Sequence, residues 1–428
     1  MKISNIHLQF LKTDGICTDT RKVFRNCCFV ALSGENFDGN NFVEQALELG
    51  AAMVICSKTV TLEDQRLIKV ESPLKSLQEL AKHHRSTFPF PVVSITGSNG
   101  KTTSKELIRD VLLMKGKVGA TKGNLNNHIG VPLTLLSFTP DMEFGIVEMG
   151  ANHRKEIELL CSIAQPDFVF ITNIGKAHLE GFGGIEGVKK GKKELFDYAA
   201  KSDRTAFIQM NDPVIIDIAK GVKKQVQFGN NKHLPSASAH TKNGLLGIDF
   251  NFSSGELTCQ TQLTGEYNLG NALAAAAIGQ YFDIKPRDIV QAIGQYEPSN
   301  NRSELRKGKQ NNIILDAYNA NPTSMMNALE HLRENYPKNG IALIGDMLEM
   351  GEESEKEHQT VVDYLRTNHM QAILVGEEFK KTKGGDQFHF YDDAMEAYEA
   401  IEAAPINGKT VLLKGSRGIT LEKLLPLL

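Results

Sequence analysis

The segment PVVSITGSNGKTTSKELIRDVLLM, residues 91–114, decides the fold of this chain. Its first part, Pro91–Thr96, is an apolar run typical of a buried strand, and its last part, Ser104–Met114, has a helical pattern. Between them, Thr96–Thr103 carries two glycines and the sequence Gly-Lys-Thr. A glycine-rich turn between a strand and a helix presents free backbone N–H groups at the helix N-terminus, where they bind phosphates. The segment therefore predicts a polyphosphate-binding loop at the edge of a sheet.

Two side chains of this loop have chemistry suited to a nucleotide. Lys101 would contact the β- and γ-phosphates, and Thr102 would place its hydroxyl on Mg²⁺. The standard phosphate loop has a glycine where Ile95 stands, so this loop is the shorter form Gly-x-x-Gly-Lys-Thr. The alternative is a simple glycine-rich turn, which the preceding strand and the following Gly-Lys-Thr disfavour. Phosphate binding alone leaves the reaction open.

The rest of the chain repeats the alternation of apolar strands and helical segments. The predicted strands are Ala52–Cys56, Pro91–Thr96, Phe144–Glu148, Asp167–Asn173, Ala206–Met210, Asn312–Asp316, Ile341–Gly345, Ala372–Gly376 and Val411–Lys414. Continuous apolar strands separated by helices indicate parallel sheets covered on both faces, which is α/β architecture. Residues 228–263 are polar and rich in glycine and serine, and they predict small β strands or an elaborated insert.

Two breaks in this pattern predict domain joints. Thr87–Pro91 contains two prolines, and Glu297–Asn301 precedes a short basic stretch and a fresh strand. They divide the chain into residues 1–88, 89–298 and 299–428, three domains being a reasonable number for 428 residues. Elsewhere, Glu352–Glu357 is interpreted as a solvated helix face and Lys380–Gln387 as a surface loop.

Composition argues against several classes of protein. Hydrophobic residues make up 41% and charged residues 23%, as in ordinary globular proteins, and the net charge of -3 offers no basic field to nucleic acid or anionic membrane. The six cysteines have no Cys-x-x-Cys spacing and predict reduced thiols. The chain begins without the apolar stretch of a signal peptide, and no run approaches the roughly 20 apolar residues of a bilayer span. We therefore expect a soluble, cytoplasmic protein without membrane insertion.

Two further strands end in polar residues that could join the phosphate loop. Glu148 ends one strand, and His178 and Glu180 follow another. Because parallel strands direct their carboxyl ends to one edge, these side chains could form a metal–phosphate centre there, although each alone could be an ordinary turn residue. Lys189–Lys193 (KKGKK) is either a solvated basic face or the source of a reactive lysine, since crowded lysines lower each other's pKa and favour a carbamate.

These motifs together resemble the ATP-dependent Mur ligases of peptidoglycan assembly. The family resemblance lies in TGSNGKTT (96–103), EMG (148–150), TNIGKAHLEGFG (172–183) and GKKELF (191–196). Further segments resemble the branch that adds D-alanyl-D-alanine: TDTRKV (18–23), FVALSGENFDG (29–39), NLNNHIGVPLT (124–134), GEYNLGNALAAA (265–276), DAYNANPTSM (316–325), GDMLEMGEESEKEHQ (345–359) and KGSRG (414–418). The branch that adds a diamino acid is expected to carry Asp-Asn-Pro-Arg, which does not occur in this sequence.

The resemblance implies a fold and a reaction. It implies an N-terminal UDP-substrate domain, a central P-loop-type ATPase with a mostly parallel sheet, and a C-terminal Rossmann-like domain that binds the amino substrate. ATP would phosphorylate the terminal carboxylate of UDP-N-acetylmuramoyl-tripeptide, and the amine of D-Ala-D-Ala would attack the acyl phosphate. This would be the last cytoplasmic step of peptidoglycan precursor synthesis, a process tied to cell shape and division. We expect a monomer, and the third residue of the tripeptide, lysine or diaminopimelate, stays open.

The resemblance also implies site residues. Catalytic roles would fall on Lys101, His178 and Lys192. ATP would contact Thr96, Gly97, Ser98, Asn99, Gly100, Lys101, Thr102, Thr103, Asn268, Arg302, Asp316 and Asn319. Two Mg²⁺ sites are expected, one on Thr102 and Glu148, the other on His178 and Lys192 as a carbamate. The UDP-substrate would contact Thr20, Arg21, Ser33, Gly34 and Asn127. The amino substrate would contact Lys414, Ser416 and Arg417.

Alternatives to this interpretation remain. Lys193 is the neighbouring candidate for the carbamate, since the family usually has alanine at the position of Gly191 and a small residue at that of Lys193. The other functions are a diamino-acid-adding Mur ligase, folylpolyglutamate synthetase, a P-loop kinase and a non-catalytic nucleotide-binding protein.

Overall fold

The N-terminal part of the chain is built on a parallel sheet. A computed structural model describes residues 2–299, 301–385 and 387–428. The first sheet has the strand order β1-β2-β5-β6. Its strands, with a separate two-stranded hairpin, are β1 (Ile16–Cys17), β2 (Cys28–Val30), β3 (Ser33–Gly34), β4 (Phe37–Asp38), β5 (Met53–Ser57) and β6 (Leu67–Val70), and the helices are α1 (Ile3–Phe10), α2 (Val43–Glu48) and α3 (Pro73–Ser86). Helix α3 begins with Pro73, and the side chain of Ser72 caps it by accepting a hydrogen bond from Lys75 N.

A six-stranded parallel sheet forms the centre of the molecule. The strand order is β12-β11-β10-β7-β9-β8. The strands are β7 (Val92–Thr96), β8 (Val118–Ala120), β9 (Phe144–Glu148), β10 (Phe168–Ile171), β11 (Thr205–Gln209) and β12 (Lys224–Phe228). The helices are α4 (Lys101–Leu113), α5 (Gly130–Leu136), α6 (Glu156–Ala164), α7 (Leu179–Phe182), α8 (Ile185–Lys201), α9 (Pro213–Ile218), α10 (Leu269–Tyr281) and α11 (Pro286–Gln295). Alternate residues of the strands enter two apolar cores, as a parallel sheet covered on both faces requires.

The C-terminal part adds a parallel sheet that continues into an antiparallel one. The strands are β13 (Ser236–Lys242), β14 (Leu245–Phe252), β15 (Gly255–Thr264), β16 (Glu304–Lys307), β17 (Asn312–Leu315), β18 (Gly340–Gly345), β19 (Gln371–Val375), β20 (His389–Tyr391) and β21 (Thr410–Lys414). Their order is β13-β14-β15-β16-β17-β21-β18-β19-β20, with β17 to β20 parallel. The helices are α12 (Pro322–Asn335), α13 (Ser354–Thr367), α14 (Glu377–Lys380) and α15 (Ala394–Ala403).

The antiparallel strands connect two of the predicted domains. Strand β15 pairs with β16 through Leu263 and Glu304, so one sheet crosses the predicted boundary near residue 298. The predicted joint Glu297–Asn301 includes Asn300, which lies outside the described residues. The strands predicted within residues 228–263 are confirmed as β13, β14 and β15.

Most of the predicted elements are confirmed, and two details are corrected. All nine predicted strands are present within a residue or two of their expected ends. Helix α4, however, begins at Lys101 and not at Ser104, because Gly100 turns directly into the helix with φ +78. The interpretation of Glu352–Glu357 as solvated is wrong for Glu357, which is 3% exposed. Lys380–Gln387 is predicted to be a surface loop. Its first residue, Lys380, is instead the last residue of α14, and Asp386 lies outside the described residues.

No helix in the parts of the chain that the structure describes is long and apolar enough to span a bilayer.

Candidate active site

Three neighbouring strands bring the predicted site residues to one edge of the central sheet. Strand β7 lies between β10 and β9, and all three are parallel. The phosphate loop follows β7, Glu148 ends β9, and Asn173 follows β10. The structure therefore places the three predicted strand ends side by side, at the carboxyl edge where open α/β sheets bind ligands.

The phosphate loop is shaped by two glycines with positive φ. Gly97 has φ +145, and a Cβ there would lie 2.0 Å from Thr172 Oγ1. Gly100 has φ +78, and a Cβ there would lie 2.4 Å from Asn271 Oδ1. Any side chain at either position would force the loop away from its neighbours. The tight turn leaves Ser98–Thr103 along a cavity, with the N-terminus of α4 directed at it.

Hydrogen bonds fix this loop to the end of β10. Ser98 N donates to Asn173 O at 3.0 Å, and Asn99 N donates to Asn173 Oδ1 at 3.1 Å. Thr172 Oγ1 donates to Asn99 O at 2.6 Å, and Ser98 Oγ donates to Gly175 O at 2.9 Å. Because these bonds are made by the protein itself, the loop is preorganised before any ligand binds.

The Lys101 side chain folds back over the loop. Its Nζ donates to Gly97 O at 2.7 Å and to Ser98 O at 3.1 Å. Burial lowers the pKa of Lys101 to about 8, while the Glu148 carboxylate partly opposes the shift. A polyphosphate in the cavity would bring negative charge that favours the protonated amine.

Thr102 and Glu148 form a buried pair of oxygen groups beside the loop. Thr102 Oγ1 donates to Glu148 Oε2 at 3.0 Å, and Asn126 Nδ2 donates to Glu148 Oε1 at 2.8 Å. Lys105 Nζ lies 3.9 Å from Glu148 Oε2 and supplies a compensating charge. Hydroxyl and carboxylate oxygens are the ligands that Mg²⁺ prefers, and it binds few protein groups when phosphates supply the others. The described residues contain no cluster of three His, Cys, Asp or Glu side chains arranged to hold a metal.

The two candidate lysines of α8 point in different directions. Lys192 is fully buried, its Nζ donates to Ala151 O at 3.0 Å, and it lies 5.1 Å from the centre of the Phe182 ring. Burial, followed by the charge of Lys101, holds the pKa of Lys192 far below its usual range. Lys193 has a side chain that is 40% exposed and pairs with Asp197 one turn further along the helix. Only Lys192 faces the interior behind the sheet edge.

His178 lies between the central sheet and the C-terminal part. It lines the cavity, and its Nδ1 is hydrogen-bonded to Glu349 Oε2. This contact lowers the pKa of Glu349. Glu180, predicted in the same loop, lies in the short helix α7, and its backbone N–H donates to Glu349 O at 3.3 Å.

The cavity beside the phosphate loop has a volume of about 800 Å³ and is shared by the central and C-terminal parts. Most of the predicted site residues line it. They are Ser98, Asn99, Gly100, Lys101, Thr102, Thr103, Asn127, Glu148, His178, Asn268, Arg302, Asp316, Asn319 and Lys414. One enclosed space thus contains the phosphate loop and groups from beyond residue 300.

The C-terminal groups of the cavity are held by a charged network. Lys414 Nζ donates to Asp316 Oδ2 at 2.6 Å and to Asn319 O at 3.2 Å. The guanidinium of Arg302 stacks on the Tyr318 ring at 3.7 Å from its centre. Asn321 Nδ2 donates to Asn99 Oδ1 at 2.7 Å and so joins the C-terminal part directly to the phosphate loop.

The remaining predicted residues, Lys192 among them, are not among those that line this cavity. Thr96 is buried under the loop, where its Oγ1 donates to Met149 O, and Gly97 forms the turn. Ser416 accepts a hydrogen bond from Leu348 N at 2.8 Å, and Arg417 lies 5.6 Å from the Tyr318 ring centre. The four N-terminal candidates are elsewhere: Thr20 and Arg21 in a 3₁₀ turn where Arg21 pairs with Asp19, and Ser33 and Gly34 in the β3–β4 hairpin.

Sequence reasoning missed several residues of the site. Asn126, Tyr318 and Asn321 all line the cavity. Each lies within a motif that carries the family resemblance. The motifs therefore identified the right segments of the chain but not the contacts that these residues make. Glu349 and Lys176 were also missed, since their partners are more than 150 residues away in sequence.

Comparison with known proteins agrees with this geometry. The Mur ligase family catalytic domain matches residues 12–85, the Mur ligase middle domain matches residues 95–279, and the Mur ligase glutamate ligase domain matches residues 301–417. Among solved structures, MurF from Acinetobacter baumannii aligns with a TM-score of 0.89 at 27% identity, covering 99% of this chain and 97% of that one. MurF ligase from Thermotoga maritima in complex with ADP aligns with a TM-score of 0.86 at 26% identity, covering 98% and 97%.

Curated relatives match along nearly their whole length. The UDP-N-acetylmuramoyl-tripeptide–D-alanyl-D-alanine ligase of Bacillus subtilis is 35% identical over 423 residues, covering 96% of this chain and 92% of the relative. The enzyme of the same name from Escherichia coli is 33% identical over 419 residues, with the same coverage. Three matching domains in the same order and relatives of this identity show that the chain belongs to the Mur ligase family and, within it, groups with the MurF enzymes.

Proposed function

We propose that this chain is an ATP-dependent amide ligase that joins D-alanyl-D-alanine to UDP-N-acetylmuramoyl-tripeptide, the reaction for which its relatives are named. The observation that carries the proposal is the cavity shared by the phosphate loop and the C-terminal part. An acyl phosphate made beside the nucleotide must meet an amine in the same enclosed space, because it would otherwise react with water.

In the first step, a carboxylate oxygen of the tripeptide attacks the γ-phosphorus of ATP. The bond from phosphorus to ADP breaks, and an acyl phosphate forms. Two anions approach each other in this step, so positive charge and N–H donors must be in place beforehand. Lys101 and the backbone N–H groups at the start of α4 provide them, with Asn268, Arg302, Asp316 and Asn319 contacting the rest of the nucleotide.

In the second step, the neutral amine of D-Ala-D-Ala attacks the acyl carbon. A tetrahedral intermediate forms, the nitrogen loses its proton, and inorganic phosphate leaves as the amide is made. Lys414, Ser416 and Arg417, at the end of β21, bind the carboxylate of the dipeptide and so orient its amine. The position of Lys414 on the cavity wall supports this assignment.

We assign two Mg²⁺ sites, and the oxygen donors of Thr102 and Glu148 suit the first of them. Thr102 and Glu148 would hold one, and His178 with a carbamylated Lys192 would hold the other. When bound, such ions neutralise phosphate oxygens and stabilise the charge that develops during transfer. The short distance between Thr102 Oγ1 and Glu148 Oε2, 3.0 Å, supports the first site.

The environment of Lys192 supports its proposed carbamylation. A strongly lowered pKa favours the neutral amine, which is the nucleophilic form of lysine. The amine adds to CO2, a C–N bond forms, and one proton is released as the carbamate anion is made. The anion would then lie beside the metal that it binds, and not unpaired in the interior.

The N-terminal part, residues 1–88, binds the UDP moiety. Thr20, Arg21, Ser33 and Gly34 contact it, and Asn127 contacts its phosphate from the central domain, residues 89–298. Residues 299–428 then form the amino-substrate domain. The enzyme acts as a monomer in the cytoplasm, where nucleotide-activated substrates are made.

The reaction is tested by phosphate release with ATP, Mg²⁺ and each of the two UDP-tripeptides, with and without D-Ala-D-Ala. We expect dipeptide-dependent release and a product heavier by the dipeptide less one water in mass spectrometry. Phosphate transfer that is independent of the dipeptide would contradict ligation and favour a kinase. Reaction with a diamino acid in place of the dipeptide would favour the sister ligase.

A further inference from the structure

Two loops from different sheets meet beside the cavity. One follows β10 and carries His178, and the other follows β18 and carries Glu349. His178 Nδ1 is hydrogen-bonded to Glu349 Oε2, and Glu180 N donates to Glu349 O at 3.3 Å. Gly351 allows this approach, because a Cβ there would lie 3.2 Å from Glu180 Cβ. Side-chain and backbone contacts therefore both hold Glu349 against the His178 loop.

Both partners have a left-handed backbone. His178 has φ +53 and Glu349 has φ +62. A non-glycine residue adopts this conformation at a cost in free energy, and it persists only where the surrounding structure fixes it. Both residues of the contact adopt this costly conformation, which indicates that the two loops are shaped to bring them together.

The contact determines which nitrogen of His178 carries the proton. An ionised carboxylate only accepts hydrogen bonds, so the Nδ1 that faces Glu349 must donate. A neutral imidazole with its proton on Nδ1 has its lone pair on Nε2. A carboxylate on one ring nitrogen orients the ring and raises the basicity of the other nitrogen, as in metal-binding histidines.

We propose that Glu349 is a positioning residue that holds His178 in the Nδ1–H tautomer and leaves Nε2 available to the cavity. The inference rests on the role proposed above for His178. Because Glu349 belongs to the C-terminal part of the chain, the site is complete only when that part is docked on the central sheet.

A second ion pair, between the His178 loop and helix α13, provides a matched control. Lys176 Nζ donates to Glu357 Oε1 at 2.5 Å. Neither residue is among those that line the cavity. Glu357→Gln therefore weakens docking without touching His178, whereas Glu349→Ala removes the contact to His178 itself.

The tautomer is measured by long-range ¹H–¹⁵N NMR on protein labelled with ¹⁵N-histidine, and His178→Gln assigns the signal. We expect the Nδ1–H tautomer in the parent, the Nε2–H tautomer in Glu349→Ala, and the parent tautomer in Glu357→Gln. Glu349→Gln retains an acceptor oxygen and should keep the Nδ1–H form. The same tautomer in the parent and in Glu349→Ala would overturn the proposal.

Kinetics provide the second measurement. Glu349→Ala should lower kcat roughly 10- to 100-fold and weaken the apparent affinity for Mg²⁺ by a similar factor. The KM for ATP should be nearly unchanged. Glu357→Gln should lower kcat less than about fivefold. Equal losses in both variants would overturn positioning in favour of docking alone. The NMR measurement does not require an active enzyme. If the parent protein showed no ligase activity, the proposed function would be refuted, but the tautomer of His178 would still test the role of Glu349.

Discussion

Replacing Lys192 tests the most unusual group of the site. Its side chain is fully buried, and its Nζ makes one hydrogen bond, to Ala151 O at 3.0 Å. Burial and then the charge of Lys101 hold its pKa far below the usual range, which favours the uncharged amine. If it becomes a carbamate, Lys192→Ala removes an anion that holds a metal in the reaction centre.

The expected loss is large in activity and moderate in stability. Removing one preorganised charged group from a reaction centre costs roughly 3–4 kcal/mol, or 10²- to 10³-fold in kcat. Truncating a buried side chain of this length also costs about 2–4 kcal/mol of unfolding free energy. Lys192→Met separates the two effects, because methionine keeps the apolar part of the side chain. This variant should lose less than about 1.5 kcal/mol of unfolding free energy and be as inactive as Lys192→Ala.

Lys193→Ala is the matched control. Its side chain is 40% exposed and pairs with Asp197 one helical turn away, a contact of about 0.3–0.5 kcal/mol. Adjacent helical residues point about 100° apart, so the two lysines cannot serve the same site. We expect nearly parental kcat and melting temperature for this variant.

The assay is dipeptide-dependent phosphate release in CO2-depleted buffer, with bicarbonate or a short carboxylic acid added back. Bicarbonate should restore the activity that the parent protein loses in CO2-depleted buffer. Short carboxylic acids should partly restore the activity of Lys192→Ala by filling the anionic site. Inactivity of Lys193→Ala with an active Lys192→Ala would shift the assignment by one residue. Activity of both variants without added acid would refute the carbamate.

Three further predictions follow from the same structure. Lys101→Ala should lower kcat by roughly 10²–10³ without unfolding, and near-normal turnover would remove the phosphate loop from the mechanism. The radius of gyration from small-angle scattering should fall when an ATP analogue and UDP-tripeptide bind, and an unchanged value would count against closure. Burial and then the charge of His84 lower the pKa of His7 to about 4, so the unfolded chain takes up more protons below pH 6.5. Stability should therefore fall as the pH falls from 6.5 to 4, and a His7→Gln variant with the same pH dependence of melting would refute this cause.

The central sheet could be predicted from the sequence because its signals are local. Val92–Thr96 and Phe144–Glu148 are uninterrupted apolar runs, and each ends at a polar or glycine-rich turn. Parallel strands bring such turns to one edge, so the neighbourhood of Lys101, Glu148 and His178 followed from topology alone.

The contacts across the cavity could not be predicted in this way. Glu357 lies in an acidic stretch that looks solvated, yet it is buried and pairs with Lys176, 181 residues away. Asn321 caps its own helix with one amide oxygen, a local role visible in the sequence, while its Nδ2 bonds to Asn99 across 222 residues. Local patterns determine helices and strands, but partners this distant depend on how two sheets dock.

The charge of the cavity supports the proposal that the reaction uses divalent cations. Its wall carries three basic side chains, Lys101, Arg302 and Lys414, against three carboxylates, those of Glu148, Glu156 and Asp316. The pair formed by Lys414 and Asp316 is already internally neutral. ATP and a substrate carboxylate together bring a large negative charge into this nearly balanced space, and a carbamate on Lys192 would add to it. The deficit must be met by ions that enter with the nucleotide, and the oxygen atoms of Thr102 and Glu148 are where we propose that the first one binds.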